Sequence, residues 1–204
     1  MATSDAELVA RALEGSQEAY RLLVRRFERP VMSVVLRLVG EPALAEDLTQ
    51  ETFLKAFRHL RRYDPRRKLA SWLFKIAHNT AIDHLRRRRP ELVSLERGDD
   101  DPPPDSRPQL AAPATQAPDL AAIRGELAAE IEASLAELRP GYREILVLRF
   151  QEGLSYQEIA DVMELPMGTV KVHLHRARKQ LAAALEARGW ALPDGAAGST
   201  KHAP

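Results

Sequence analysis

The sequence predicts an all-α chain: two small helical domains joined by a disordered linker, the second carrying a helix-turn-helix. Three observations predict it. Apolar residues recur at helical spacing on both sides of residues 90–119, a segment that holds seven of the fourteen prolines and few apolar groups. Ser155 to Lys179 contains a helix start, a turn and a second amphipathic helix in close succession. The expected organisation is a first domain over 1–89, an acidic Pro-rich linker over 90–119, a second domain over 120–188 and a mobile tail over 189–204.

In chain order, Leu8, Val9, Ala12 and Leu13 form the first apolar stripe, Gly15 ends that helix and Ser16 caps the next, which carries Ala19, Tyr20, Leu23, Val24 and Phe27. Pro30 is expected to open a third helix running through Val39, because proline suits a first helical turn. After Gly40, Pro42 opens a helix to about Arg62. On it Asp47, Gln50, Glu51 and Leu54 lie at i, i+3, i+4 and i+7, a polar-acidic strip ending in an exposed leucine, while Leu44, Leu48 and Phe57 face inward. Tyr63-Asp64-Pro65 breaks the helix, and Arg66, Arg67 and Lys68 sit in the following loop. The next helix begins near Ser71 and ends at Pro90, with Trp72, Leu73, Ile76, Ala77 and Thr80 as core by spacing.

Charge is the informative property of this first domain. The whole chain carries a net +1, yet residues 1–89 hold 18 basic and 11 acidic groups, 90–120 hold 2 and 7, and 121–204 hold 10 and 11. From Lys55 to Arg89 twelve basic residues, Arg86 and Arg87 among them, face only Asp64 and Asp83, an electrostatic footprint suited to nucleic acid. Tyr63 and Asn79 are interleaved with it, offering a π-face and a bidentate amide to a single-stranded base.

The second domain starts at Asp119, with Leu120, Ile123, Leu127, Ile131, Leu135 and Leu138 on one stripe, and Pro140 opens a further helix whose Ile145, Leu146 and Leu148 complete a core. Ser155 and Glu158 form a capping box. Ile159, Val162 and Met163 line the short helix it starts, Ala160 permits close approach, and Glu164-Leu165-Pro166 stops it. On the next helix Val170, Leu174, Ala177 and Leu181 point inward and Val172, His175, Arg176 and Lys179 outward. Lys171, His173, His175, Arg176, Arg178 and Lys179 crowd nine residues without an acid, which suits phosphates and guanine edges in a major groove.

Several classes are excluded. Zero cysteines removes disulfides and Cys-ligated zinc, and His173 and His175 at i, i+2 diverge by about 200° on a helix, so no metal or cofactor is expected. There is no apolar run long enough to span a membrane, and the first fifteen residues read as an amphipathic helix rather than a signal peptide, so a cytoplasmic location is expected. A nuclease built on His78, Asp83 and His84 fails because i, i+5, i+6 does not converge, and no enzymatic role is expected. A stand-alone helix-turn-helix regulator of duplex DNA is the alternative reading; it lacks a dimerisation helix.

ALAEDLTQETFLKAF, WLFKIAHNTAIDHLRRR and LRPGYREILVLRFQEGLSYQEIADVMELPMGTVKVHLHRARKQL, in that order and spacing, resemble bacterial RNA polymerase sigma factors of the extracytoplasmic-function group. The resemblance covers sigma domains two and four but not the linker or tail. It implies a promoter-specificity subunit that binds core polymerase, recognises the minus-thirty-five and minus-ten elements and helps open the duplex. Asp47, Gln50 and Glu51, with Leu54 beside them, would dock on the clamp helices of the largest polymerase subunit. Tyr63, the loop at 64–70 with Arg66, Arg67 and Lys68, and Asn79 would hold an unstacked non-template base, with Arg86 and Arg87 near. Val172, His175 and Arg176, flanked by Lys171 and Lys179, would read the minus-thirty-five element. An anti-sigma factor is a further partner the resemblance leaves open. Two departures stand out: Glu164 replaces the turn glycine common in this family and is expected in a left-handed conformation, and Val172 is suited to a thymine methyl.

Overall fold

The computed structural model describes residues 3–88 and 120–190. The expected linker and all but the first two residues of the expected tail lie outside them. Among the described residues every element is helical.

Helix α1 (Asp5–Leu13) starts on a capping box in which the Ser4 hydroxyl accepts from the Glu7 N–H and the Glu7 carboxylate accepts from the Ser4 N–H. Leu8, Val9 and Ala12 are buried, whereas Leu13 stays 41% exposed rather than joining the stripe. Helix α2 runs unbroken from Gln17 to Val39 with Pro30 inside it, so Pro30 does not open a helix of its own. The reason is tertiary. Proline removes the N–H that would bond the Arg26 carbonyl and costs about 3 kcal/mol in a helix interior. On this helix Leu23, Phe27, Val31, Val34, Val35 and Leu38 are all buried, and full burial of each such side chain contributes about 1.5–3 kcal/mol, which outweighs the defect. Gly40, with φ of 73°, ends the helix by donating its N–H to the Leu36 carbonyl.

Helix α3 (Pro42–Arg58) is followed by a single tight turn at Leu60–Arg62, so the helix ends a turn earlier than its periodicity suggests. Helix α4 (Leu69–Arg88) packs against α2 and α3. Leu73, Ala77 and Thr80 are buried as expected, but Trp72 and Ile76 are only partly so, and Phe74, His78, Ala81 and Ile82 are buried as well. The burial of His78 involves the second half of the chain, where Glu144 meets it.

That half comprises α5 (Leu120–Glu137), α6 (Pro140–Leu146), α7 (Tyr156–Met163) and α8 (Met167–Ala187). Of the expected α5 stripe, Leu135 and Leu138 are buried, Leu127 and Ile131 partly so, and the side chains of Leu120 and Ile123 lie outside the described set. Helix α6 continues into a wider π turn at Val147–Gln151, where the Glu152 N–H reaches the Val147 carbonyl five residues back. The Arg149 guanidinium lies 5.0 Å from the Tyr156 ring centre and donates to the Leu154 carbonyl at 2.7 Å, pinning the loop that feeds the helix-turn-helix.

The two halves pack through α2 with α6 and α4 with α7. Their contact includes a buried ion pair, His78 Nδ1 to Glu144 Oε1 at 2.8 Å, with both side chains almost wholly removed from solvent. Arg37 makes a two-pronged pair with Glu132, and the Ser33 hydroxyl meets the Gln151 amide at 3.1 Å. Burial alone would push the His78 imidazole down, but the charge and hydrogen bond of Glu144, aided by Glu164 and opposed by Arg86, outweigh it and hold the pKa above 6.5.

Two outcomes follow from this packing. Pro30→Ala should stabilise the protein by about 2 kcal/mol, the restored helix being partly offset by a more flexible unfolded chain, as read from denaturant midpoints. The His78 contribution should be present in full below its ordinary pKa of 6.5 and be lost as pH rises through the higher folded value. The thermal midpoint should therefore fall over that window in the wild type, and His78→Gln should flatten that part of the profile.

Candidate nucleic-acid and polymerase interfaces

Helix α3 divides cleanly. Ala45, Leu48, Thr49, Thr52, Phe53 and Ala56 are buried, and the Thr52 hydroxyl is absorbed by the Leu48 carbonyl at 2.7 Å. Asp47, Gln50, Glu51 and Leu54 are all exposed on the other side, Leu54 at 57%. Glu51 pairs with Lys55 one turn on at 2.9 Å. The structure thus brings the four expected docking residues onto one open strip, with two carboxylates, an amide and an apolar side chain for a partner to meet.

The loop between α3 and α4 is built around Tyr63 and Asp64. The Tyr63 hydroxyl donates to the Arg67 carbonyl at 2.6 Å, and its ring lies 5.5 Å from that of Trp72, tilted by 53°. Burial, then the charges of Asp5 and Asp64, push its phenol pKa up, so it stays protonated. Asp64 accepts from the backbone N–H and guanidinium of Arg66, and these bonds lower its pKa to about 2. Arg66 and Arg67 therefore stand exposed on a loop with a defined shape. From Lys68, directly ahead of α4, Ser71, Lys75 and Asn79 follow at helical spacing on one face, and Arg86 and Arg87 project into solvent at the end of the helix.

This basic strip is not open. Helix α7 lies on it, and three acids spaced i, i+3 and i+6, the last at the cap of the helix, meet it. Glu158 is 3.0 Å from the Lys68 ammonium and 3.3 Å from the Ser71 hydroxyl, Asp161 is 3.2 Å from Arg67, and Glu164 is 3.1 Å from Lys75. Glu164 also accepts a hydrogen bond from Asn79, and the Lys75 and Asn79 bonds draw its pKa down. For Glu158, burial pushes the carboxyl up, but the Ser155 N–H and hydroxyl together with Lys68 outweigh it and bring the pKa to about 2. Sequence reading misses these acids as partners of the strip because their spacing along a short helix looks like an ordinary solvated face; their regular spacing was the available signal. His78 and Glu144 are missed likewise, although an acid directly ahead of the apolar run from Ile145 to Leu148 hints at burial with a partner.

The helix-turn-helix forms as expected. Ser155 and Glu158 make the reciprocal capping bonds at 3.2 and 2.8 Å. Glu164 caps α7 in the left-handed region, φ 56° and ψ 39°, and among the described residues no other non-glycine has positive φ. That conformation costs an L-residue about 1–2 kcal/mol. On α8, Val170, Leu174 and Ala177 are buried, while Leu181 is only partly so. Lys171, Val172, His175 and Lys179 are exposed and Arg176 is half-exposed, so the five expected groove-facing residues share the outer side. His173 is not among them: it is half-buried with its ring edge against Tyr142 at 5.5 Å, and burial lowers its pKa, so it adds no charge to the basic face.

Among the described residues no group of three or more His, Cys, Asp or Glu side chains is arranged to hold a metal, and no helix is long and apolar enough to cross a membrane.

Comparison with known proteins agrees in both halves. Residues 23–91 match the Sigma-70 region 2 family and residues 128–181 the Sigma-70 region 4 family. The chain is 34% identical over 184 residues to the RNA polymerase sigma-H factor of Pseudomonas aeruginosa, covering 89% of this chain and 94% of that one. It is 30% identical over 168 residues to the ECF RNA polymerase sigma factor SigW of Bacillus subtilis, covering 82% and 89%. The solved structure of CnrH in complex with the cytosolic domain of CnrY superposes with a TM-score of 0.61 at 30% identity, covering 90% of this chain and 97% of that one. With both regions matched in order and relatives aligned over nearly their whole length, the chain belongs to the sigma-70 family of bacterial RNA polymerase sigma factors, in its extracytoplasmic-function group.

Proposed function

We propose that this sigma factor works through three surfaces carried on two domains, 1–89 and 120–188, with 90–119 as a tether between them and 189–204 as a tail. As the promoter-specificity subunit of bacterial RNA polymerase it selects promoters rather than catalysing a reaction, in the cytoplasm where the polymerase acts. The stand-alone regulator reading falls away, because region 2 has no place in it.

Asp47, Gln50, Glu51 and Leu54 form the surface for core polymerase. The observation that carries this is their joint exposure on a domain that is otherwise basic: acids repel DNA, so the strip needs a protein partner with basic or amide groups and a pocket for Leu54. Tyr63, Arg66, Arg67, Lys68 and Asn79, with Arg86 and Arg87, hold the non-template strand of the minus-ten element, a stacking face and an amide beside a cationic track. Lys171, Val172, His175, Arg176 and Lys179 read the minus-thirty-five element in the major groove, Lys and Arg supplying phosphate and guanine contacts and Val172 an apolar surface for a thymine methyl. CnrH was solved in complex with the cytosolic domain of CnrY, and a protein partner, an anti-sigma factor, is proposed for this chain.

Charge reversal on the docking strip separates these roles from folding. The double variant Asp47→Lys, Glu51→Lys should keep its thermal midpoint, since exposed substitutions usually change stability by no more than about 0.5 kcal/mol. Its co-purification with core polymerase and its promoter-specific run-off transcription should both fall; wild-type yield of the complex would refute the docking assignment. Asn79→Ala should leave closed-complex binding nearly unchanged but reduce strand opening, read as lost permanganate reactivity near the start site. Normal opening by that variant would remove Asn79 from the strand-holding role.

A further inference from the structure

The contact between α2 and α6 holds a charge that nothing among the described residues balances. Arg37, on α2, is nearly enclosed, its side chain 11% exposed, and both of its terminal nitrogens donate to the Glu132 carboxylate. His78 and Glu144 make a second pair, charged on both sides below the raised pKa of His78. Each pair is neutral as a whole. Arg143, on α6, is the remainder: it is only 7% exposed, no acid among the described residues pairs with it, and its Nε–H has no acceptor. Glu144 does not supply the missing acid, since one of its carboxylate oxygens meets His78 and the other meets no donor.

The surroundings of Arg143 repel its charge. Burial, then the charge of Arg37, bring its pKa down to about 10, which still leaves it charged at neutral pH. That the charge of Arg37 is felt at Arg143 sets the two guanidiniums near each other, and Arg37 also has an Nε–H without an acceptor. A water molecule would satisfy such N–H groups and leave the charge uncompensated; an anion does both. Arginine, unlike lysine, cannot escape burial by giving up its proton.

We propose that Arg143 and Arg37 form a site for a small inorganic monoanion of halide size at the junction of α2 and α6, held by the two Nε–H groups that the protein leaves unmet. The near-complete enclosure of both side chains sets the size, because an organic anion has no way to fit between them. Glu132 is the positioning residue: by occupying both terminal nitrogens of Arg37 it leaves that arginine's Nε–H for the anion. Bound there, the anion neutralises the surplus charge and joins α2 to α6 through both arginines, so it stabilises the folded chain in step with its concentration.

The test uses the full chain with chloride and bromide as probes. The thermal midpoint is followed as chloride replaces gluconate, a larger anion, at constant ionic strength. Arg143→Met keeps the length of the side chain and removes its charge; Arg25→Met removes a charge from an exposed position on α2 and controls for general electrostatics. Crystals soaked in sodium bromide are read for an anomalous peak. The expected result is a midpoint that rises by about 2–4 °C with chloride in the wild type and in Arg25→Met alike, no such rise in Arg143→Met, and bromide within contact of both Nε atoms. Equal midpoints in chloride and gluconate overturn the proposal, as does a chloride response that Arg143→Met retains. An ordered water at the arginines with no anomalous signal overturns it too, and a bromide peak without a chloride response marks an adventitious ion only and does the same. Should Arg143→Met fail to fold, the wild-type chloride response and the bromide peak decide together, and the absence of either one refutes the site.

Discussion

Burial of helix α4 on two sides is the constraint on which the remaining structure depends. One side of the helix, through Leu69, Leu73, Ala77 and Thr80, closes the bundle with α2 and α3; another is covered by α7, and His78 reaches Glu144 on α6. A helix with so much of its circumference enclosed has little freedom to rotate or slide, because interiors are close-packed and every displacement opens a void or a clash. Its register places Lys75 and Asn79 on the same face as the end of the basic loop, and positions the exposed arginines at its C-terminal end. The loop before it is held to that register by Tyr63, through its bond to the Arg67 carbonyl and its ring contact with Trp72.

Apolar packing runs through both halves as one continuous cluster of buried side chains, and polar pairs add to it where the halves meet. Inside each, the contacts are apolar and dense: Val31, Val34, Val35 and Phe74 on one side, Ile145, Leu148, Ile159 and Val170 on the other, all essentially without exposure. Between them, the pairs of Arg67, Lys68 and Lys75 with α7 are substantially solvent-exposed, and pairs of that kind contribute about 0–1 kcal/mol each and weaken as salt rises. The buried His78–Glu144 pair is the exception, since breaking one member of a buried pair typically costs about 3–5 kcal/mol, and it makes the contact between the halves sensitive to protonation where the exposed pairs are sensitive to salt.

For a sigma factor this division has a functional sense. The strip of Asp47, Gln50, Glu51 and Leu54 proposed to meet core polymerase is open in the same arrangement in which α7 lies against Arg67, Lys68 and Lys75. The outer face of α8 is open too, with Val172 47% exposed. Of the three proposed surfaces, the basic one leading into α4 is the one that α7 contacts.

What the sequence by itself determined was everything that depends on neighbours close along the chain. The Ser155–Glu158 capping box, the stop at Glu164 to Pro166, the inward Val170, Leu174 and Ala177, and the open strip of α3 all follow from hydrogen bonds and periodicity spanning a few residues and were legible, whereas of the expected inward Leu44, Leu48 and Phe57 only Leu48 is fully buried. The basic run from Lys55 to Arg89 was legible as charge, and the left-handed turn at Glu164 as a departure from the family pattern. Only the tertiary structure decided that Pro30 stays inside one helix, that His173 turns into the domain, that Phe74, His78 and Glu144 are buried, and that Arg67, Lys68 and Lys75 meet acids of the second half. Each of these is a contact between residues distant along the chain, Asn79 with Glu164 or His78 with Glu144, and periodicity tells which side of a helix is apolar but not which other element will come to cover its polar side.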